Sequence, residues 1–173
     1  MLRVPHTGMP TVNDALSRAR SMLGKKTKYK LSAGGMLPAA ASPVNVNGEC
    51  DCSGFIAWVL RMSRKTDHPA YVKFNGGWIN TDAIVHDAGH DIGFFSRIDV
   101  PRPGALVVYP ARKKNGKTIV GHVGIITSVA ADGAIRVIHC SSTNSKNGDA
   151  IQETDDKVFK ANPKSVYAWF AGF

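Results

Sequence analysis

Several things are scarce in this chain of 173 residues. No apolar run approaches the ~18 residues that crossing a bilayer requires, so no membrane span is expected. The opening stretch, MLRVPHTGMPTVNDALSRAR, lacks the apolar segment of a secretory signal. Export by another route, a leader already removed, or work inside the cell are the expectations that absence leaves. Cysteine is scarce too, with only Cys50, Cys52 and Cys140. An odd count makes no disulfide framework and leaves at least one thiol without a partner in the chain. Acidic residues are outnumbered, 13 against 22 Lys and Arg, for a net charge of +9. Such a surface suits polyanions: nucleic acid, anionic lipid or an acidic wall polymer. The basic clusters GKKTKYK (24–30) and ARKKNGK (111–117) are short and poor in aromatics. They read as solvated loops, and no nucleic-acid partner is expected.

What is present is ordinary globular material, 43% hydrophobic and 20% charged, which excludes wholesale disorder. No repeat or linker divides it, so one domain over 1–173 is expected. Thr11 to Leu23 carries an apolar stripe at helical spacing, with Thr11 as N-cap, Asp14 in the first turn and Gly24 closing. A Gly/Pro/Ala-rich loop follows. Cys52 to about Ser63 is a second helix, nearly all apolar and capped by Asp51. A shorter helix is expected over Asp82 to Ala88, with Thr81 capping and Gly89 ending it. From Pro103 the period changes: GALVVYP, GHVGIITSV, AIRVIHCSS and SVYAWFAGF read as strands. Helices first and a mostly antiparallel sheet second make the class α+β.

Within that frame GECDCSGFIAWVLR, residues 48–61, is the stretch that asks for chemistry. A helix N-terminus stabilises a thiolate through its dipole and free amide donors, and Cys52 falls in the first turn. Ser53 and Gly54 are small enough to admit a substrate carbonyl, and backbone donors there suit an oxyanion. Cys50 lies before the helix without such support. A thiol nucleophile also needs a base and an orienting group. Asp132-Gly133 is a hairpin signal. A two-residue turn pairs Ala131 with Ala134, and counting back puts His122 and His139 on one face. A four-residue loop keeps that parity and brings them closer, with Gly124 opposite His139 leaving space.

These motifs resemble those of the NlpC (NlpC/P-sixty) family of bacterial cell-wall cysteine peptidases. DCSGF is followed about 70 residues later by GHVGI and then by VIH. KYKLSAGG is similar to the family's Tyr-x-x-Gly-Gly approach to the nucleophile, and PRPGALVVYP to its Pro-Gly-Asp-Leu-Val strand, with Ala105 in place of Asp. The resemblance implies a papain-like core with the nucleophile helix packed on the sheet. It implies Cys52 as nucleophile, His122 as base, His139 as orienting residue and Tyr29 beside the site. It also implies a peptidoglycan or muropeptide substrate, cleavage of stem-peptide amides such as the D-γ-glutamyl to diamino-acid bond, and action at the wall, in the periplasm or outside the cell. Pro69 to Asp99 departs from the family pattern and is expected to shape the substrate cleft, where Trp78 is a candidate contact.

No metal or cofactor is expected, and the chain is expected to act as a monomer. Zinc would have ligands in Cys50, Cys52, His122, His139 and Cys140, but Cys-x-Cys is tighter than the usual gap, and His139 and Cys140 point to opposite faces of a strand. HDAGH, His86 to His90, lacks the Glu of the metalloprotease motif. Cys140 reads as a small buried hydrophobe, with a Cys50–Cys140 disulfide as the alternative. A thiol acyltransferase or amidase on another substrate, and a non-catalytic wall-binding module of the same fold, are the rival functions.

Overall fold

A computed structural model of the chain describes residues 9–173. Helix α1 (Val12–Ser21) begins as the sequence predicts. Thr11 Oγ1 accepts the Asp14 amide at 3.1 Å, and Asp14 Oδ2 accepts the Thr11 amide at 3.0 Å, a reciprocal capping box. Two short parallel strands follow, β1 (Lys28–Tyr29) and β2 (Glu49–Cys50). They fasten the loop that leads into helix α2 (Cys52–Val59).

Helix α2 is shorter than its apolar run. It stops at Leu60 because Arg61 adopts a left-handed conformation, φ 56°. Helix α3 (Pro69–Asn75) was not foreseen; His68 caps it and Gly76, at φ 60°, ends it. The third expected helix is present as α4 (Thr81–His90), with two corrections. Asn80 rather than Thr81 is the cap, its side chain accepting the Ala83 amide at 2.9 Å. The helix also runs through Gly89 to His90, with Asp91 as its left-handed cap, and Asp87 binds the turn beyond it: its carboxylate accepts the Phe94 amide at 2.7 Å, the Phe95 amide at 3.1 Å and the Tyr71 hydroxyl at 2.5 Å.

Six strands build one antiparallel sheet. They are β3 (Phe95–Ile98), β4 (Leu106–Tyr109), β7 (His122–Val129), β8 (Ile135–Cys140), β9 (Ile151–Asp155) and β10 (Val166–Phe170), in the order β3-β10-β4-β7-β8-β9. Between β4 and β7 the basic run expected as a solvated loop folds as a hairpin of β5 (Arg112–Lys114) and β6 (Lys117–Ile119). Two short helices, α5 (Ser142–Ser145) and α6 (Lys157–Lys160), flank β9.

Helices α1, α2 and α4 pack on one face of the sheet around Phe55, Ile56, Trp58, Val108, Ile125 and Ile138. On the other face Phe159 of α6 packs on Val107, Ile126 and Val137. The class is α+β, with the cysteine-bearing helix laid on a mostly antiparallel sheet, as the sequence predicts. Among the described residues no helix is long and apolar enough to cross a membrane.

Candidate active site

The start of α2 is held by a buried polar knot. Asp51 Oδ1 accepts the Gly54 amide at 2.8 Å, and Asp51 Oδ2 accepts the Ser32 amide at 2.7 Å. Arg64 Nη2 donates to the same Oδ2 at 2.9 Å, with side-chain exposures of 6% and 2% for Arg64 and Asp51. Arg64 Nη1 donates to the Ala33 carbonyl at 2.8 Å, tying the 32–35 loop to the cap. A charged pair taken out of water is favourable only with such supporting hydrogen bonds.

This knot corrects two expectations. The Gly54 amide is spent on Asp51, and the Ser53 hydroxyl donates to Asp51 Oδ1 at 3.3 Å, so neither group is free for substrate. The absent side chain of Gly54 makes room for protein rather than for a substrate carbonyl: a Cβ there would lie 2.7 Å from the Ala33 carbonyl oxygen. Arg64 itself was not singled out in the sequence. Its only signal was a basic residue just beyond an apolar helix.

Cys52 is buried on the first turn of α2, a helix that packs on β7. His122 stands at the start of β7, and the neighbouring Cys52 contributes to raising the phenols of Tyr29 and Tyr109. Burial, with the Asp51 carboxylate beside it, raises the thiol to about 12. The helix-terminus effect expected to favour a thiolate is therefore outweighed by desolvation.

His122 Nε2 and His139 Nδ1 are 2.7 Å apart. Their shared face depends on a feature the turn alone does not provide. Near the turn Val129 pairs with Ile135 and Ser128 with Arg136; a shift between Ile126 and Ser128 then changes the register, so that Ile126 pairs with Val137 and Gly124 with His139. Without that bulge the two histidines would lie on opposite faces. Phe159 stacks on His122 at 5.2 Å between centroids and 11° between planes, and meets His139 edge-on at 5.7 Å. Burial lowers His122 to about 3, with the neighbouring His139 adding to the shift, and burial lowers His139 to about 4. Both imidazoles are neutral at pH 7. His139 Nε2 continues the chain to Thr154 Oγ1 at 2.8 Å.

A cavity of about 430 Å³ opens over this pair, lined among others by Tyr29, Tyr109, His122, His139, Thr154 and Asp155. Ile119 and Val120, at the base of the basic hairpin, also line it. Tyr29 is half-buried; desolvation and the nearby Cys52 raise its phenol well above the ordinary value, so it remains a hydroxyl donor. Tyr109, Thr154 and Phe159 were not foreseen in the sequence. Trp78 is not among the cavity-lining residues. It lies beyond Arg64 and Lys65, with the Lys65 ammonium 4.9 Å from its ring centroid, and none of residues 69–99 lines this cavity.

Cys50, Cys52 and Cys140 are all free and buried, without a Cys50–Cys140 disulfide. Cys50 is a core residue of β2 rather than part of a loose approach, and the Cys140 thiol donates to its carbonyl at 3.4 Å. In HDAGH, His86 stacks on Phe74 at 4.3 Å, and His90 Nδ1 bonds the His86 carbonyl at 2.8 Å. Among the described residues no cluster of three or more His, Cys, Asp and Glu is arranged for a metal ion.

The family model described as CHAP domain matches residues 43–141, more than half of the chain and inclusive of Cys52, His122 and His139. The chain belongs to the CHAP family. CHAP domains are papain-like cysteine or amidase domains found in cell-wall hydrolases, and the narrower NlpC placement that the motifs resemble is not the one matched. No curated protein matches the sequence. Among solved structures, that of Ly7917 is similar over 93% of this chain, at 16% identity and TM-score 0.54. The similar part is 63% of the Ly7917 chain, so this CHAP domain spans less than two thirds of that protein. An N-acetylmuramoyl-L-alanine amidase from Bacteroides uniformis is similar over 92% of this chain and 98% of its own, at 14% identity and TM-score 0.52. At such identities the likeness is one of fold.

Proposed function

We propose that this CHAP domain hydrolyses an amide bond of peptidoglycan through a thioester on Cys52, with His122 as base and His139 as its orienting partner. The observation that carries the reading is the His122–His139 hydrogen bond at the start of β7, the strand on which the Cys52 helix packs. A binding module has no use for a buried imidazole pair beside a buried thiol.

In this mechanism the resting site is neutral, thiol beside imidazole, because burial disfavours both charged forms. His122 takes the Cys52 proton as the sulfur attacks the amide carbonyl. The Cys52 amide, at the first helical position, has no acceptor within its helix and is available to the oxyanion. The Tyr29 hydroxyl is a second donor from the cavity wall. His122 then protonates the leaving amine, and water attacks the thioester with the same histidine as base. The stem peptides' carboxylates complement Arg112, Lys113, Lys114 and Lys117 on the exposed hairpin above the cavity. We place the activity at the wall or outside the cell, in one domain acting as a monomer.

Two bonds fit this chemistry. The NlpC-like motifs favour the D-γ-glutamyl to diamino-acid bond, and the name of the Bacteroides uniformis neighbour points to the N-acetylmuramoyl-L-alanine amide. Incubation with purified peptidoglycan, followed by mass spectrometry of the soluble products, separates them. Free stem peptides indicate the amidase reaction, and dipeptides left on muramic acid indicate the endopeptidase. A new amide adduct with no water-derived product would replace hydrolysis by acyl transfer.

A further inference from the structure

We propose that Thr154 is a positioning residue that fixes the tautomers of both histidines, so that His122 presents an unprotonated Nδ1 towards Cys52. This rests on the reading of Cys52 as nucleophile and His122 as base.

Hydrogen-bond direction sets the tautomers. Thr154 Oγ1 lies 2.7 Å from the carbonyl oxygen of Asp155 and 2.8 Å from His139 Nε2. A carbonyl only accepts, so the single hydroxyl proton of Thr154 goes to Asp155. Thr154 then accepts from His139, which carries its proton on Nε2. A neutral His139 with that proton has a bare Nδ1, and that atom lies 2.7 Å from His122 Nε2. His122 Nε2 is therefore the donor, and its Nδ1 is the bare nitrogen. Giving the Thr154 proton to the carbonyl, which can only accept, is the one arrangement that satisfies all three contacts, and the later steps follow from it.

The neutrality that the argument needs is supported by burial, since His139 is 4% exposed and His122 8%. Phe159 closes one side of both rings. Other polar groups around His139 are committed elsewhere. Its direct partner across the β8–β9 ladder is Gln152, whose amide donates to the Asn144 and Asp149 carbonyls at 3.1 and 2.7 Å. Asn144 donates to the His139 main-chain carbonyl at 3.2 Å and not to its ring. Thr154, two residues along β9, is the side chain that reaches Nε2.

When His122 accepts the Cys52 proton, the imidazolium keeps its Nε2–H bond to His139 Nδ1, and His139 in turn keeps its bond to Thr154. Without the Thr154 acceptor, His139 gains by moving its proton to Nδ1, which turns two donors towards each other or forces His122 to the opposite tautomer. The group that orients the histidine of a serine-protease triad is worth about 10⁴-fold in kcat. Thr154 acts one residue further out, and the loss expected on removing it is about ten- to a hundredfold.

The test compares Thr154→Val, which keeps the shape and removes the acceptor, with Thr154→Ser, which keeps the acceptor. Steady-state hydrolysis of muropeptides is measured together with nitrogen NMR of the two imidazoles in the Cys52→Ala background. We expect kcat to fall for Thr154→Val with KM little changed, and Thr154→Ser to restore it. The spectra should show both histidines protonated on Nε2 when Thr154 or Ser is present, and a mixed His139 tautomer with Val. Unchanged kcat in Thr154→Val, or a His139 proton on Nδ1 in the parent protein, overturns the proposal. The tautomer readout needs no turnover, so a failure of the Cys52 reading is recognised separately, by hydrolysis persisting in Cys52→Ala.

Discussion

Gly124 stands directly across the β7–β8 ladder from His139, and a Cβ there would overlap Val137 Cγ1 and come 3.0 Å from His139 Cβ. The glycine in GHVGI is thus needed for side-chain room, since its contacts are with Val137 and His139 rather than with solvent. Gly124→Ala is expected to destabilise the fold by about 1–3 kcal/mol, as overpacking of a tight core does. It should also lower turnover by displacing His139 from His122. Denaturant unfolding and muropeptide kinetics check both effects, and wild-type behaviour in both would show that the strand relaxes freely.

The buried pair of Arg64 and Asp51 predicts a strongly asymmetric response to mutation. Arg64→Met leaves the Asp51 charge buried without its partner, which costs about 3–5 kcal/mol. In the double variant Arg64→Met with Asp51→Asn, part of that loss should return, because Asn still caps the Gly54 amide and carries no charge. Additive effects in the unfolding free energies would contradict the coupling.

Stability should fall in mild acid for a reason specific to the site. His122 is lowered to about 3 and His139 to about 4 in the folded protein, whereas an unfolded histidine titrates near 6.5. Below about 6.5 the unfolded chain binds up to two more protons than the folded one, so stability is lost progressively as pH falls towards 4. Above about 6.5 both histidines are neutral in both states and add no pH dependence. Melting temperatures of the wild type and of a His122→Ala, His139→Asn double variant, followed from pH 7.5 to 4.5, isolate this contribution from the carboxylates. Parallel curves would show that the histidines are not held neutral by burial.

Much of the site was legible because its signals are local. Asp51 before an apolar helix is a capping pattern, and His122 and His139 are placed by counting along one hairpin. The count was right in parity only because a bulge between Ile126 and Ser128 corrects the register set by the turn, and nothing in GIITSV marks it. Gly54 was misassigned because its neighbour, the loop around Ala33 and Gly34, is distant in sequence and is held against the helix by Arg64 and Asp51. Strand β9, IQETD, carries few apolar residues, since it lies at the sheet edge, and Thr154 was hidden with it. Phe159 belongs to a helix of four residues, too short to show a period. Helix α3 was missed because histidine is an uncommon cap, and Trp78 was drawn to the cleft by its glycine neighbours although it packs outside Arg64 and Lys65.

The most direct measurement of the central claim is hydrolysis of purified peptidoglycan by Cys52→Ala, beside the wild type and with the fold of both verified by circular dichroism. The account predicts soluble products from the wild type and none above background from the variant, at equal helix and strand content. Products released by Cys52→Ala at a rate near that of the wild type would contradict it, and would move the chemistry away from the thiol at the start of α2.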